Sequence, residues 1–413
     1  MNRWEILRKT AGPGLIFAAS AIGVSHLVQA TRAGAEYGFE LVWAVVLANL
    51  FKWPFFEFGS RYAAATGETL MQGYLRIGKW ALWVYIIITL GTMLAVTAAV
   101  SFVCAGLFGN LFGTQLSIEV LAAILFAICM LILLFGKYKL LDSTIKVVGV
   151  ILLVSTLSAM AIAVFSGPVP ASDSMVSKSA YSTSGLLFII ALMGWMPTAI
   201  DLSAWSSIWT IERQRMSGYR ASVKDTVREF NIGYLLSAVL SICFLVLGVY
   251  TMFGKGETFS DSGIQFASQL VSMFTGALGD WSYWIISISA FSVMFSTVLT
   301  VFDGYSRSIS HSFELLMPKL RKFEWDEVFW IVVLGVGAYM VIAEFRSRLT
   351  DMVDFATTLS FVIAPVFAGL NYYLLKSKHT PEQHRPRGFI NWISILGLIF
   401  LSGFVVVFFV ISK

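Results

Sequence analysis

The sequence predicts an all-α polytopic membrane protein: one transmembrane domain of eleven spanning helices, built as an inverted five-plus-five repeat with the first and sixth helices unwound. Three observations carry this. The 413 residues are 57% hydrophobic and only 13% charged, with a mean hydropathy of +0.78, too few polar groups to cover a soluble domain of this length. The apolar residues fall into successive runs long enough to cross about 30 Å of hydrocarbon. Two of those runs, five apart, hold groups that an unbroken spanning helix excludes.

The expected spans are 13–34, 40–65, 80–108, 117–135, 144–166, 185–210, 230–253, 281–306, 326–345, 352–375 and 389–411. The first follows a basic N-terminal segment, as in a signal peptide. Its run is longer than a signal peptide's and no small-residue cleavage site follows, so it reads as an uncleaved span. Mid-run it gathers Ser20, Gly23, Ser25, His26 and Gln29. The second carries Lys52, Glu57 and Arg61. A buried ion must find a partner, and Lys52 is expected to pair with Glu57 or with Asp201. In the third and tenth, Thr89, Thr92, Thr97, Thr357, Thr358, Ser360 and Asn371 suit hydrogen bonds between helices. The sixth contains Met193-Gly194-Trp195-Met196-Pro197-Thr198-Ala199-Ile200-Asp201, where Pro197 lacks a backbone donor and forces a break. At the end of the eighth, Asp303 and Arg307 stand one helical turn apart and are expected to pair. Cys104, Cys129 and Cys243 are far apart in apolar runs, without metal or redox spacing.

Twenty of the 29 Lys and Arg fall in segments on one side of this arrangement and six on the other. The bias puts the N-terminus in the cytoplasm and the C-terminus outside, as for a protein of the bacterial cytoplasmic membrane. Gly167–Ser184 is then external. Glu212–Glu229 and Arg307–Trp325 are cytoplasmic and suit short amphipathic helices on the membrane surface. Because five is odd, the second set of five spans enters from the opposite side. An inverted repeat follows, with first half about 13–166, second half about 185–375, and 389–411 appended. Its solute site is expected between the two broken helices.

Several motifs resemble those of the natural-resistance-associated macrophage protein (Nramp) family of divalent-metal transporters. They are Ala11-Gly12-Pro13-Gly14, Ala33-Gly34-Ala35-Glu36-Tyr37-Gly38, Leu41-Val42-Trp43, Leu47-Ala48-Asn49-Leu50, Ala65-Thr66-Gly67, the Lys137–Gly149 stretch with Asp142, and Met196-Pro197. The resemblance implies a LeuT-type fold. It also aligns the family's metal-binding Asp-Pro-Gly-Asn with Gly23-Val24-Ser25-His26, so both liganding side chains differ. Met196 is kept, but the His-Asn that follows it in the family is replaced by Thr198-Ala199. A later family His falls on Ser203, and the position whose carbonyl helps hold metal falls on Met193. The acids of the family's proton path fall on Met93 and Val96, and the ninth span lacks the family's Arg residues.

The candidate substrate-binding residues are therefore Gly23, Ser25, His26, Met193, Met196 and Thr198, with His26 and Met196 as metal ligands. Asp201 and His26 are candidates for binding or coupling a cation. A His26–Met196–Met193 set would be soft and would disfavour Mg²⁺ and Ca²⁺. His26, the only His in any span, could instead titrate. Two solute classes remain open. One is a divalent cation with atypical selectivity, moved by alternating access without the family's usual proton coupling. The other is a small organic, amino-acid-like or carboxylated molecule, which the N–H groups opening the second half of a broken helix would favour. A non-transporting sensor is the third reading. One intramembrane His, no His-x-x-x-His and no Gly-x-Ser-x-Gly argue against an enzyme. No cofactor, nucleic acid or ATP is expected, and the chain is expected to work as a monomer in the bilayer.

Overall fold

The computed structural model describes residues 12–134, 138–168, 178–255, 258–318, 326–345 and 348–412, with the side chains of 138–149 and 326 not described. The N-terminal basic segment, Asp142 and its neighbours, the middle of the Gly167–Ser184 segment and the end of the Arg307–Trp325 segment lie outside the described side chains. Among the described residues the chain is helical, with no strand.

The first expected span is in two pieces. Helix α1 (Pro13–Ala21) stops at Ile22, and a π-helical turn, Ser25–Ala30, leads into α2 (Thr31–Tyr37). Then come α3 (Val42–Thr66), a short α4 (Leu70–Ile77), α5 (Lys79–Phe112), α6 (Ile118–Leu134) and α7 (Tyr138–Ser166). The sixth expected span is also divided, into α8 (Thr183–Gly194) and α9 (Leu202–Ser217), with Trp195–Asp201 outside regular helix. The chain continues as α10 (Val223–Thr251), α11 (Gly263–Leu278), α12 (Tyr283–Leu316), α13 (Asp326–Glu344), α14 (Leu349–Lys376) and α15 (Gly388–Ile411). Seven helical stretches among the described residues are long and apolar enough to cross a membrane, and three shorter apolar helices accompany them.

Helix ends follow local chemistry. Ser182 and Ser222 accept the Gly185 and Asp225 amides at the starts of α8 and α10. Thr69 and Gln72 cap α4 reciprocally. The apolar pattern did not reveal α4 or α11, because each is a short helix between long runs. Two other expectations need correction. Glu212–Glu229 is not a surface helix: α9 runs on to Ser217 and α10 begins at Val223, leaving a turn at left-handed Gly218. Arg307–Leu316 is likewise the end of α12, whose helix continues unbroken past the apolar run.

Helix α10 lies along both pieces of the first broken helix. A Cβ on Gly14 would stand 2.5 Å from the Glu229 carbonyl, and one on Gly233 2.0 Å from the Gly14 carbonyl. Higher up, Gly34 meets the Leu245 carbonyl at 2.0 Å and Gly248 the Thr31 carbonyl at 2.4 Å on the same construction. Only residues without a Cβ allow such backbone approach. Glu229 adds a polar anchor, accepting the Gly12 and Gly14 amides at 2.9 Å each. These are among the first N–H groups of α1, which have no partner within the helix.

The pieces of the second broken helix have different neighbours. Helix α8 packs on α14, where a Cβ on Gly194 would lie 2.0 Å from the Thr357 carbonyl. Helix α9 packs on α3, where one on Gly59 would lie 2.1 Å from the Ser203 carbonyl. Replacing Gly248 by Ala should lower stability by about 1–3 kcal/mol, read as a drop in Tm of the detergent-solubilised protein. Gly403→Ala, where nothing lies within 4 Å of the added methyl, should leave Tm nearly unchanged.

Candidate functional site

The two breaks face each other, and one side chain joins them. Ser25 Oγ lies 2.8 Å from the Ala21 carbonyl, 3.0 Å from the Pro197 carbonyl and 2.7 Å from His26 Nδ1. It thus meets a carbonyl at the end of α1 and one in the second break. On the other side of the imidazole, Nε2 lies 2.9 Å from the Ser237 carbonyl of α10. Both ring nitrogens of His26 are therefore engaged within the protein, and the ring stands edge-on to Phe244. The histidine fastens the first break to α10.

The second break is built around Lys52 of α3. Its ammonium donates to the carbonyls of Met193 (3.2 Å), Gly194 (2.8 Å) and Thr198 (2.8 Å). The expected pairings of Lys52 are corrected: Glu57 pairs with Arg61 at 2.7 Å, one turn along the same helix, and no ion pair joins Lys52 to Asp201 among the described residues. The reason is local. Arg61 reaches Glu57 within α3, whereas the free carbonyls at the end of α8 give Lys52 acceptors of its own. Asp303 and Arg307 do pair, at 2.7 Å, and Arg307 also reaches Glu212.

Asp201 is 2% exposed. Its Oδ2 accepts the Tyr305 hydroxyl of α12 at 2.5 Å, while Oδ1 is buried without a hydrogen-bond partner. Trp195, at the start of the break, donates to Ser360 Oγ at 2.8 Å. The peptide before Pro197 is cis.

Between the breaks lies a cavity of about 20 Å³, lined by Ser20, Gly23, Ser25, Thr198, Thr297 and Trp205 among others. That is room for about one water or one ion. The structure thus brings three of the expected residues, Gly23, Ser25 and Thr198, to one small space. It places His26 against α10, the Met193 carbonyl on Lys52, and Asp201 against α12. Met196 is fully buried and is not among the residues lining the cavity. The expected soft set of His26, Met196 and Met193 therefore does not line it; its lining is mostly apolar, with Ser and Thr hydroxyls and the indoles of Trp195 and Trp205 as its polar groups. Among the described residues, no three His, Cys, Asp or Glu side chains group as a metal site.

Above the breaks, Arg32 holds Asp354 of α14 through two bonds of 2.8 and 3.2 Å, and Gln29 donates to Asp354 and Thr357. Glu36 binds Arg32 and Lys178. These contacts tie α2 to α14. The Arg32–Asp354 pair, Tyr305 and Glu229 did not stand out in sequence, since their bonds join residues that periodicity leaves unrelated.

Two helices interrupted in mid-span, facing one another across a buried cavity of ion size, define the class of membrane transporters with paired broken helices. The chain belongs to the Nramp family: it matches the natural resistance-associated macrophage protein-like family over residues 14–411. Members of that family are transporters, not enzymes, and the chain is an integral membrane protein. It is 37% identical to an uncharacterized protein of Pasteurella multocida over 98% of this chain and 93% of that one. It is 24% identical to the divalent metal cation transporter MntH of Levilactobacillus brevis, over 96% and 87%. Its fold is similar to that of the Eremococcus coleocola manganese transporter, with a TM-score of 0.73 at 14% identity, covering 98% and 86% of the two chains. It is also similar to MhsT in complex with L-phenylalanine, with a TM-score of 0.59 at 12% identity, covering 97% and 98%.

Tyr305→Phe removes the one side-chain donor to Asp201 and should cost about 1–3 kcal/mol, measured as a fall in Tm. In an Asp201→Asn background the same change should cost less, because an uncharged amide loses less than a buried carboxylate. Additive losses would show that the two groups do not act on one another.

Proposed function

We propose that the chain moves a divalent metal cation across the membrane by alternating access, through the space between Gly23–Ser25 and Thr198. The observation that carries this reading is the ion-sized cavity joining the two breaks. Membership of a metal-transporter family supports it, as does the likeness to relatives named for divalent metal and manganese. Selectivity is atypical. The residues lining the cavity offer the Ser20, Ser25, Thr198 and Thr297 hydroxyls and no sulfur ligand, which favours hard cations over thiophilic ones. With Met93 and Val96 in α5, where the family has acids, transport does not use the family's proton path.

Asp201 serves the same cation, as a buried carboxylate with one oxygen unpartnered. The supporting frame is eleven spans in an inverted five-plus-five repeat, with both broken helices opening during the cycle. Charge bias supports a cytoplasmic N-terminus and an external C-terminus in a bacterial cytoplasmic membrane, and one chain suffices for transport. A carboxylated organic solute is the second reading. It is favoured by the uncharged lining and by the buried ammonium of Lys52, one residue away through Thr198.

The test is uptake by proteoliposomes loaded with a metal-sensing dye, using Mn²⁺, Mg²⁺ and Ca²⁺ in turn. Metal uptake should occur without internal acidification, and Thr198→Val should slow it about tenfold with Tm retained. Asp201→Asn should abolish it. Amino-acid uptake with no flux of any of the three metals would overturn the cation reading in favour of the organic solute.

A further inference from the structure

A buried ammonium costs several kcal/mol unless each of its hydrogens finds an acceptor. Lys52 is fully buried, and its three donors meet three carbonyl oxygens and no carboxylate. The acceptors have a particular origin. Met193 and Gly194 supply the final carbonyls of α8, at the negative end of a twelve-residue helix. Thr198 supplies a third from across the break, at 2.8 Å. Convergent carbonyls at the C-terminal end of an interrupted helix are the donor set that membrane transporters offer to a small monovalent cation. The Phe56 ring, with its centroid 5.9 Å from Nζ, presents a further surface suited to a cation.

We propose that Lys52 is a tethered monovalent cation: its ammonium fills a carbonyl site at the second break that would otherwise take a free alkali or alkylammonium ion. The charge a co-ion would bring is thereby supplied by the chain itself. Two further features agree. The opposite charge, Asp201, lies at the other end of the same break, so the stretch 193–201 is balanced with no bound ion. Thr198 both accepts from Lys52 and lines the solute cavity, so the tethered charge holds the cavity wall in place. The inference goes beyond the identity of the solute and holds for either reading of it.

The experiment follows thermal stability of the purified full chain in choline, sodium, potassium and methylammonium chloride at equal ionic strength. Wild type should have one Tm in all four. Lys52→Ala should melt lower in choline and regain stability in sodium, potassium or methylammonium, by about 2 °C per tenfold increase in the ion that fits. Lys52→Met, whose side chain keeps the site filled without charge, should show no such rescue. A Lys52→Ala protein that melts like wild type, or melts lower with no ion-specific gain, overturns the proposal. So does a specific sodium or potassium requirement in wild type, and that arm decides the matter if Lys52→Ala does not fold. No solute enters the measurement, so a failure of metal uptake would count against the proposed function and leave this result standing.

Discussion

Within a bilayer, every backbone N–H and C=O released by a break in a helix must be met by protein, because no water is there to meet it. Two breaks face each other here, and a few buried polar side chains answer that demand. Lys52 takes three carbonyls of the second break. Ser25 Oγ lies 3.0 Å from the Pro197 carbonyl and so sets one break against the other. The Gly23 carbonyl is met by the chain itself, through the His26 and Leu27 amides at 3.1 and 2.9 Å. Gly23 and Ser25 also bound the cavity, so part of what keeps the breaks tolerable shapes that space as well.

Much of the scaffold was readable because it rests on patterns local in sequence. Pro197 and the polar cluster around Gly23 marked the two interruptions, and Asp303 with Arg307 is a one-turn pair that spacing alone defines. The site was less readable, for a physical reason. His26 sits where a ligand belongs by alignment, but what its ring touches is decided by Ser237, 211 residues on. Lys52 looked like half of an ion pair because carboxylates are its usual partners. That carbonyls would satisfy it depended on where α8 ends in space. Tyr305 and Glu229 gave no signal, since each acts on a group more than a hundred residues away.

The chain belongs to the Nramp family, and the chemistry at its centre is set by the residues at its two breaks. Two charged side chains stand at the second break, Lys52 of α3 and Asp201, each held by neutral partners rather than by the other. Opposite charges are thus present near the same break, both carried by the chain itself.

The glycine contacts divide the two broken helices in a way that their matching appearance conceals. Both halves of the first ride on α10, sealed to it at Gly14 with Gly233 and at Gly34 with Gly248. The halves of the second belong to different neighbours, α8 to α14 and α9 to α3. In mechanical terms the first break is splinted along both halves by one helix, and the second is bridged chiefly by the Lys52 side chain of α3. Any relative movement of α3 and α14 would be delivered to the seven residues from Trp195 to Asp201, which include the Thr198 carbonyl on Lys52 and part of the wall of the cavity.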